Sequence, residues 1–339
     1  MRIGQNPAKA GLKARKPKRL GVGIITYVPN QTGYFAESLQ IIKIEIASLR
    51  QNTSEDFDLY VFDNASCPDV QNELIKLNQR GVIDGLMLSH HNIGKIGAMN
   101  WLMASMKNEW IMYSDSDFFF RPGWLEESMK LADAFPEAGM ITAQPNIYDQ
   151  LEGKSKIFES LNLSILQIDQ EKLDPAAVEE YCAGIGATGE MRQKFLEMKS
   201  TVITHKPTGT KAIFGACTAQ FMGRSSIFDK VFPLPSDFII AREEDNNIVR
   251  KIEAMGWLEI STMQPYVVHM GNHLDETLQR EISLNNLDGE LNLVNSETQY
   301  HKTGLAWKIL VVLNRNGVLK KFFKRLYINL FELYSIEKK

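Results

Sequence analysis

Two aspartates one residue apart, Asp115 and Asp117, stand in the run YSDSDFFFRPGW, between an apolar stretch and an aromatic triplet. Aspartate is a poor strand residue and costly to bury, so a pair at this place needs a reason. Hard carboxylate oxygens at a strand end suit Mg²⁺ or Mn²⁺, which keeps several waters and bridges substrate phosphates. Taken alone, the pattern reads first as a helix or turn cap followed by a solvated acid. Three other strand-like runs end in the same way, at Thr26–Tyr27, at Asp63–Asn64–Ala65–Ser66 and at His91–Asn92–Ile93–Gly94. In parallel α/β sheets ligands bind outside the carboxyl ends of the strands. Four polar strand ends on otherwise apolar strands therefore mark a site, and Asp115 and Asp117 belong to it.

The elements that must hold these residues follow from hydrophobic periodicity. LGVGIITYV (20–28) reads as a strand buried on both faces, and Phe35, Leu39, Ile42, Ile46 and Leu49 recur at helical spacing after it. FDLYVFD (57–63), IDGLMLSH (83–90), EWIMYSD (109–115) and AGMITAQ (138–144) are the next strands. Helices follow around Val70–Leu77, over 96–106 and over 124–135. Strand and helix in alternation predict a doubly wound α/β domain, its sheet mainly parallel and covered on both faces. From about 145 to 211 the sequence turns polar and helix-rich, with helices expected over 158–168 and 191–198, and reads as an insertion or lid. AIFGACTAQFMGR (212–224) predicts a strand pair or one long strand, 248–255 a helix, and 256–271 a terminal strand pair.

Bulk composition excludes several classes. The chain of 339 residues is 44% hydrophobic, with a net charge of -3. That is ordinary globular composition with no excess of positive charge to draw nucleic acid. Cys67, Cys182 and Cys217 form neither a disulfide framework nor a metal motif, which points to a reducing, cytoplasmic setting. Residues 1–19 are basic and read as a free tail. The apolar run after them is too short for a secretory signal, and no run reaches the roughly 18–20 residues of a membrane span.

The ordered motifs carry a resemblance. Thr26–Tyr27, VFDNAS, NIGKIGAMN (92–100), YSDSD, FGA (214–216), EED (243–245) and VVHMG (267–271) together resemble the nucleotide-sugar glycosyltransferases of the GT-A fold, most of all the inverting family-two group. The resemblance spans about residues 20–271. It implies a GT-A-like (Rossmann-like) domain, a nucleotide-diphospho-sugar donor (a UDP-sugar first, a GDP-sugar next) and Mn²⁺ or Mg²⁺. By the same resemblance, Asp63 bonds the nucleotide base, with Thr26 and Tyr27 lining its pocket. Asn92, Gly94, Ala98 and Asn100 match a spaced Asn-x-Gly-x-x-x-Ala-x-Asn beside the diphosphate, where a helix N-terminus favours an anion. Lys95 adds a charge there or is solvated. Asp115 faces ribose and sugar, Asp117 holds the metal, and His269 completes its ligands or serves as a plain hydrogen-bonding histidine.

Inversion requires a carboxylate to take the acceptor's proton as the hydroxyl attacks the anomeric carbon. The resemblance places this role on Asp245 in REEDNNIVRKIEAMGW, with Glu244 as the base if the register slips by one. Gly215, Ala216 and Arg224 match an acceptor-side segment. Trp124 and the triplet 118–120 either stack on sugar or fill the core. A retaining transferase, a nucleotidyltransferase and a non-catalytic sugar-nucleotide scaffold are the competing readings.

Two features stand outside the pattern. GIGATG (184–189) spells a dinucleotide fingerprint but follows a helical run, not a strand, so its context is missing. In the tail, Leu319, Phe322, Phe323, Leu326, Leu330 and Leu333 fall at helical spacing among lysines, with eight basic and two acidic residues from Gly304 to Lys339. Such a helix either docks on the domain or makes peripheral contact with an anionic membrane through 319–333, at the inner face where lipid-linked acceptors lie. The expected organisation is a tail over 1–19, a GT-A-like catalytic domain over 20–302 with an insertion at 145–211, and an amphipathic extension over 303–339.

Overall fold

Leu20–Thr26 (β1) is buried at every position, as a strand covered on both faces must be. The computed structural model describes residues 14–147, 161–236, 246–274 and 276–285. The expected amphipathic tail helix and the acids at 243–245 lie outside these. β1 is followed by α1 (Ser38–Asn52), β2 (Phe57–Asp63), α2 (Pro68–Gln79), β3 (Gly85–Leu88), α3 (Gly94–Ser105) and β4 (Trp110–Asp115). The chain continues through β5 (Phe118–Phe120), α4 (Trp124–Ala134) and β6 (Ala138–Thr142). This part matches the expected alternation, with β5 added, β2 unchanged and the other strand ends trimmed by at most two residues.

The sheet runs β3-β2-β1-β4 in parallel, then continues as a mixed sheet. Parallel register does the positioning: Thr26 lies opposite Asp63 and Ile25 opposite Asp115, so the polar strand ends share one edge. Val22 and Ile24 face the layer of α1, α2 and α4, while Ile25 faces α3 on the other side. Both faces are therefore apolar and only the strand ends are free for polar groups.

The second half of the sheet departs from the expected pattern. Residues 161–165 are turn and bend, and β7 (Leu166–Glu171) stands where the helix over 158–168 was expected. α5 (Pro175–Gly184) and α6 (Gly189–Glu197) make the insertion partly helical, but β8 (Ser200–His205) pairs antiparallel with β7 and extends the sheet. Residues 212–224 are two strands that do not pair with each other. β9 (Thr210–Phe214) lies between β8 and β11 (Leu258–Ser261), whereas β10 (Gln220–Arg224) runs antiparallel between β4 and β6. The expected terminal pair also separates. β11 joins β6, and β12 (Val267–His269) leaves the sheet to pair with β5. The remaining helices are α7 (Ser225–Val231), α8 (Asn246–Ala254) and α9 (Glu276–Leu284). Long-range pairing, not local propensity, selects these partners.

The basic lead is tied down at its end: the guanidinium of Arg15 and the backbone amide of Lys18 both donate to the carboxylate of Asp58.

β10 packs tightly against its neighbours at Gly223. A Cβ there would lie 2.6 Å from the Gly139 carbonyl oxygen and 2.7 Å from Cζ of Phe228. Backbone cannot yield as a side-chain tip can, so Gly223→Ala is expected to lower stability by about 1–3 kcal/mol in denaturant titration. An unchanged unfolding midpoint would contradict this packing.

Candidate active site

Asp63 closes β2 and is fully buried. Its carboxylate accepts from Thr26 Oγ1 (2.9 Å), the Ser66 amide (3.0 Å) and Gln71 Nε2 (2.8 Å). Such a set keeps a buried charge satisfied. Ser66 stood in the polar strand end read from the sequence, without a role of its own, and Gln71 escaped sequence reasoning; the signal for Gln71 was its place one turn into the helix that follows Asp63. The β2 end is sewn to the β1 end, because the Asn64 amide donates to Thr26 O and the Cys67 amide to Val28 O. Ala65 takes φ 71°, a conformation that non-glycine residues adopt mainly at constrained sites. Tyr27 stands edge-on to Phe35 at 6.4 Å.

Asn64, read from the sequence only as part of a polar strand end, builds the next loop. Its Nδ2 donates to Asn92 Oδ1 (3.0 Å) and its Oδ1 accepts from the Ile93 amide (2.9 Å). Asn92 Oδ1 also receives the Gly94 amide at 2.8 Å. Gly94 starts α3 with φ 77°, in the left-handed region where a side chain is strained. Asn100 lies further along α3, away from this loop. Its side chain donates to Leu234 O and accepts from Leu234 N, both at 2.8 Å, so it holds the segment that leads towards 237–245.

At the β4 end, Lys95 Nζ lies 2.9 Å from Asp115 Oδ2, and the Tyr113 hydroxyl donates to Asp115 Oδ1 at 2.6 Å. Desolvation and the nearby Asp117 push the Asp115 carboxyl up from its ordinary value, while Lys95 and Tyr113 restrain it. Asp117 is placed by β5, whose pairing with β12 sets His269 opposite Phe118. Asp117 Oδ2 accepts from His269 Nε2 at 3.0 Å, and Gly184 O accepts from His269 Nδ1 at 2.7 Å. Both ring nitrogens face acceptors, an arrangement that suits the protonated ring. Burial opposes that charge, but Asp117 overrides it and raises the pKa to about 9.

A polar stripe on α1 supports this turn. Ser48 Oγ accepts from the Phe120 amide and Asn52 Nδ2 donates to Phe120 O, which satisfies the β5 edge that β12 leaves open. Glu45 heads the same stripe and is fully buried. Its carboxyl sits well above the usual range. Burial is the main cause; the Ser114 hydroxyl and the Phe118 amide offset part of it, and Asp117 and Asp115 add to it. Phe118, Phe119, Phe120 and Trp124 are buried side chains, so of the two readings of that aromatic run the core is the one supported.

Among the described residues no group of three or more His, Cys, Asp or Glu is arranged to hold a metal ion. Asp117 and His269 nonetheless form an adjacent oxygen and nitrogen donor pair, and Asp117 Oδ1 is buried with no hydrogen bond. Two protein ligands, with diphosphate and water supplying the rest, fit how Mg²⁺ or Mn²⁺ is commonly held.

Residues 34–232, more than half of the chain, match the model for glycosyl transferase family 2. The chain belongs to this family. No curated protein sequence matches it. Among solved structures, this family-two glycosyltransferase is similar to S. aureus TarS 1-349, at 12% identity and TM-score 0.43 over 86% of this chain and 77% of that one. It is also similar to the mannosyltransferase PcManGT from Pyrobaculum calidifontis in complex with GDP-Man and Mn²⁺, at 13% identity and TM-score 0.41, over 73% of this chain and 55% of that one. GalNAc-T7 with UDP, GalNAc and Mn²⁺ gives 14% identity and TM-score 0.44 over 76% and 44%. Against TarS 1-349 in complex with UDP, the chain spans 36% of the solved length.

The imidazolium yields a pH prediction. The folded His269 pKa of about 9 exceeds its ordinary 6.5, so its stabilising contribution is complete below 6.5 and lost as pH rises through 9. In metal-free buffer, the melting-temperature difference between wild type and His269→Gln is expected to be largest near about pH 6 and to shrink by about pH 9.5. A difference that stays constant over this range would show that the histidine is not charged by its pairing with Asp117.

Proposed function

We propose that this glycosyltransferase moves a sugar from a nucleoside-diphosphate donor to an acceptor hydroxyl, with inversion and with Mn²⁺ or Mg²⁺. The observation that carries the reading is the meeting of three unlike groups at one sheet edge: the Asp63 cluster, the α3 N-terminus with Lys95, and the Asp117–His269 pair. A base, a diphosphate and a metal are the partners these groups suit. Asp63 receives the base N–H when a donor displaces Gln71 Nε2, the side-chain partner contributed by α2. Lys95 moves from Asp115 to the diphosphate, and the positive end of α3 adds to it. Asp115, released, accepts from a sugar or ribose hydroxyl.

Asp117 and His269 are the residues that would hold the divalent ion, which when bound supplies charge to offset that of the departing diphosphate. For His269 to serve, its Nε2 proton must leave. The bond from Nδ1 to Gly184 O then keeps the neutral ring in the needed tautomer. Asp245, or Glu244 beside it, takes the acceptor proton. A UDP-sugar is the first donor to try and a GDP-sugar the second.

Calorimetric titration of UDP and GDP with and without Mn²⁺ tests the binding half. One nucleotide is expected to bind in a metal-dependent way, and Asp117→Ala to weaken that binding by about 10–100-fold. For the chemical half, Asp245→Asn is expected to slow donor turnover by about 10²–10⁴-fold while leaving nucleotide binding intact. Failure of both nucleotides to bind under every metal condition would remove the two donor classes. Full turnover in both Asp245→Asn and Glu244→Gln would remove the assigned base.

A further inference from the structure

The carbonyl end of α5 is completed by a residue from outside the insertion. A helix leaves its last four carbonyls without partners inside it. In α5 the chain that follows serves three of them. Tyr181 O accepts from the Ile185 amide, Ala183 O from the Gly186 amide and Cys182 O from the Ala187 amide. Gly184 O, the fourth, accepts from His269 Nδ1 at 2.7 Å. The negative end of a helix suits a ring N–H donor. The approach is also close: a Cβ on Gly184 would lie 3.0 Å from His269 Cβ and 3.1 Å from its backbone oxygen.

The same helix is gripped one turn earlier. Glu180 stands four residues before Gly184, so both lie on one face of α5. Its carboxylate oxygens accept from Arg121 Nη1 at 2.8 Å and from Arg121 Nη2 at 2.9 Å. Arg121 directly follows β5, and Asp117 directly precedes it. Asp117 Oδ2 accepts from His269 Nε2 at 3.0 Å. These contacts close a circuit. It runs from Asp117 along β5 to Arg121, across to Glu180, one turn along α5 to Gly184, and through the imidazole back to Asp117. The two ring nitrogens of His269 are thus held from the two ends of one three-residue strand, Nε2 directly and Nδ1 by way of the insertion. A ring held at one nitrogen can swing about that bond; held at both, it keeps one orientation.

We propose that Arg121, Glu180 and Gly184 are positioning residues for His269, so that α5 of the insertion sets the aim of its Nε2 atom. The inference rests on the reading of Asp117 and His269 as the residues that hold the divalent ion. It assigns the insertion to the metal half of the site, where the sequence reads only as an insertion or lid.

The test is calorimetry on the full chain, with UDP and GDP titrated without metal and Mn²⁺ titrated in the presence of each nucleotide. Gly184→Ala crowds the His269 contact, and Glu180→Gln weakens the grip on α5. Glu281→Gln is the control, because it weakens the same guanidinium's bonds to α9, which supplies neither partner of the His269 ring. Glu180 and Glu281 are similarly exposed, at 29% and 27%, so the two substitutions should lower the melting temperature alike. Gly184→Ala and Glu180→Gln are each expected to weaken Mn²⁺ binding by about tenfold, the lower end for a group behind a metal ligand. Metal-free nucleotide affinity should stay unchanged in both. The double variant should lose little more than the weaker single one, since both act through one contact. Glu281→Gln should keep the wild-type Mn²⁺ affinity. Unchanged Mn²⁺ affinity in either Gly184→Ala or Glu180→Gln, or an equal loss in Glu281→Gln, overturns the inference and leaves the metal reading standing. If one of the two variants fails to fold, the other decides. A wild type that binds neither nucleotide, or binds one without regard to Mn²⁺, overturns the metal reading and the inference with it.

Discussion

The short ladder between β5 and β12 is the contact on which the candidate site depends. It joins Val267–His269 to Phe118–Phe120, and the Met270 amide donates to Asp117 O just beyond it. Three residues of backbone pairing are weak by themselves. The other edge of β5 is therefore closed from α1, by Ser48 and Asn52. A strand with both edges satisfied and three buried aromatic rings has nowhere to move. Asp117 at its start is consequently held against a histidine 152 residues away in sequence.

Electrostatics explains why the acids tolerate this confinement. Burial and the neighbouring Asp117 alone would drive a proton onto Asp115. Lys95 answers Asp115 and the His269 imidazolium answers Asp117. On the proposed reading, Lys95 would follow a diphosphate and the His269 proton would give way to a metal. The arrangement thus balances its own charge.

The insertion is joined to the same site. Arg121, just past β5, donates to both oxygens of Glu180 on α5, to both of Glu281 on α9 and to Pro265 O before β12. Burial opposes its charge, yet the two glutamates raise its pKa above the ordinary value. A planar guanidinium with every donor used fixes orientation as well as distance. One side chain therefore sets α5, α9 and the approach to β12 relative to β5.

Much of the nucleotide half was legible in the amino-acid order. Buried strands such as LGVGIIT and FDLYVFD announce themselves as apolar runs, and parallel register carries Thr26, Asp63 and Asp115 to one edge without further information. Asn100 shows the limit of a motif: its place in the spacing was readable, but its bonds to Leu234 depend on a chain segment 134 residues away. Residues 166–168 show another, since a mixed polar and apolar run suits a helix until β8 offers an antiparallel partner. Glu45 gave no signal, because a lone polar residue carries no period and its burial is known only once its neighbours arrive. The sequence by itself determined the α/β class, the order of strands and the polar residues that end them, because these rest on local periodicity and parallel pairing. Only the tertiary structure decided that β12 leaves the sheet for β5 and that His269 is set against Asp117. Each of those follows from contacts between distant segments, which no local pattern encodes.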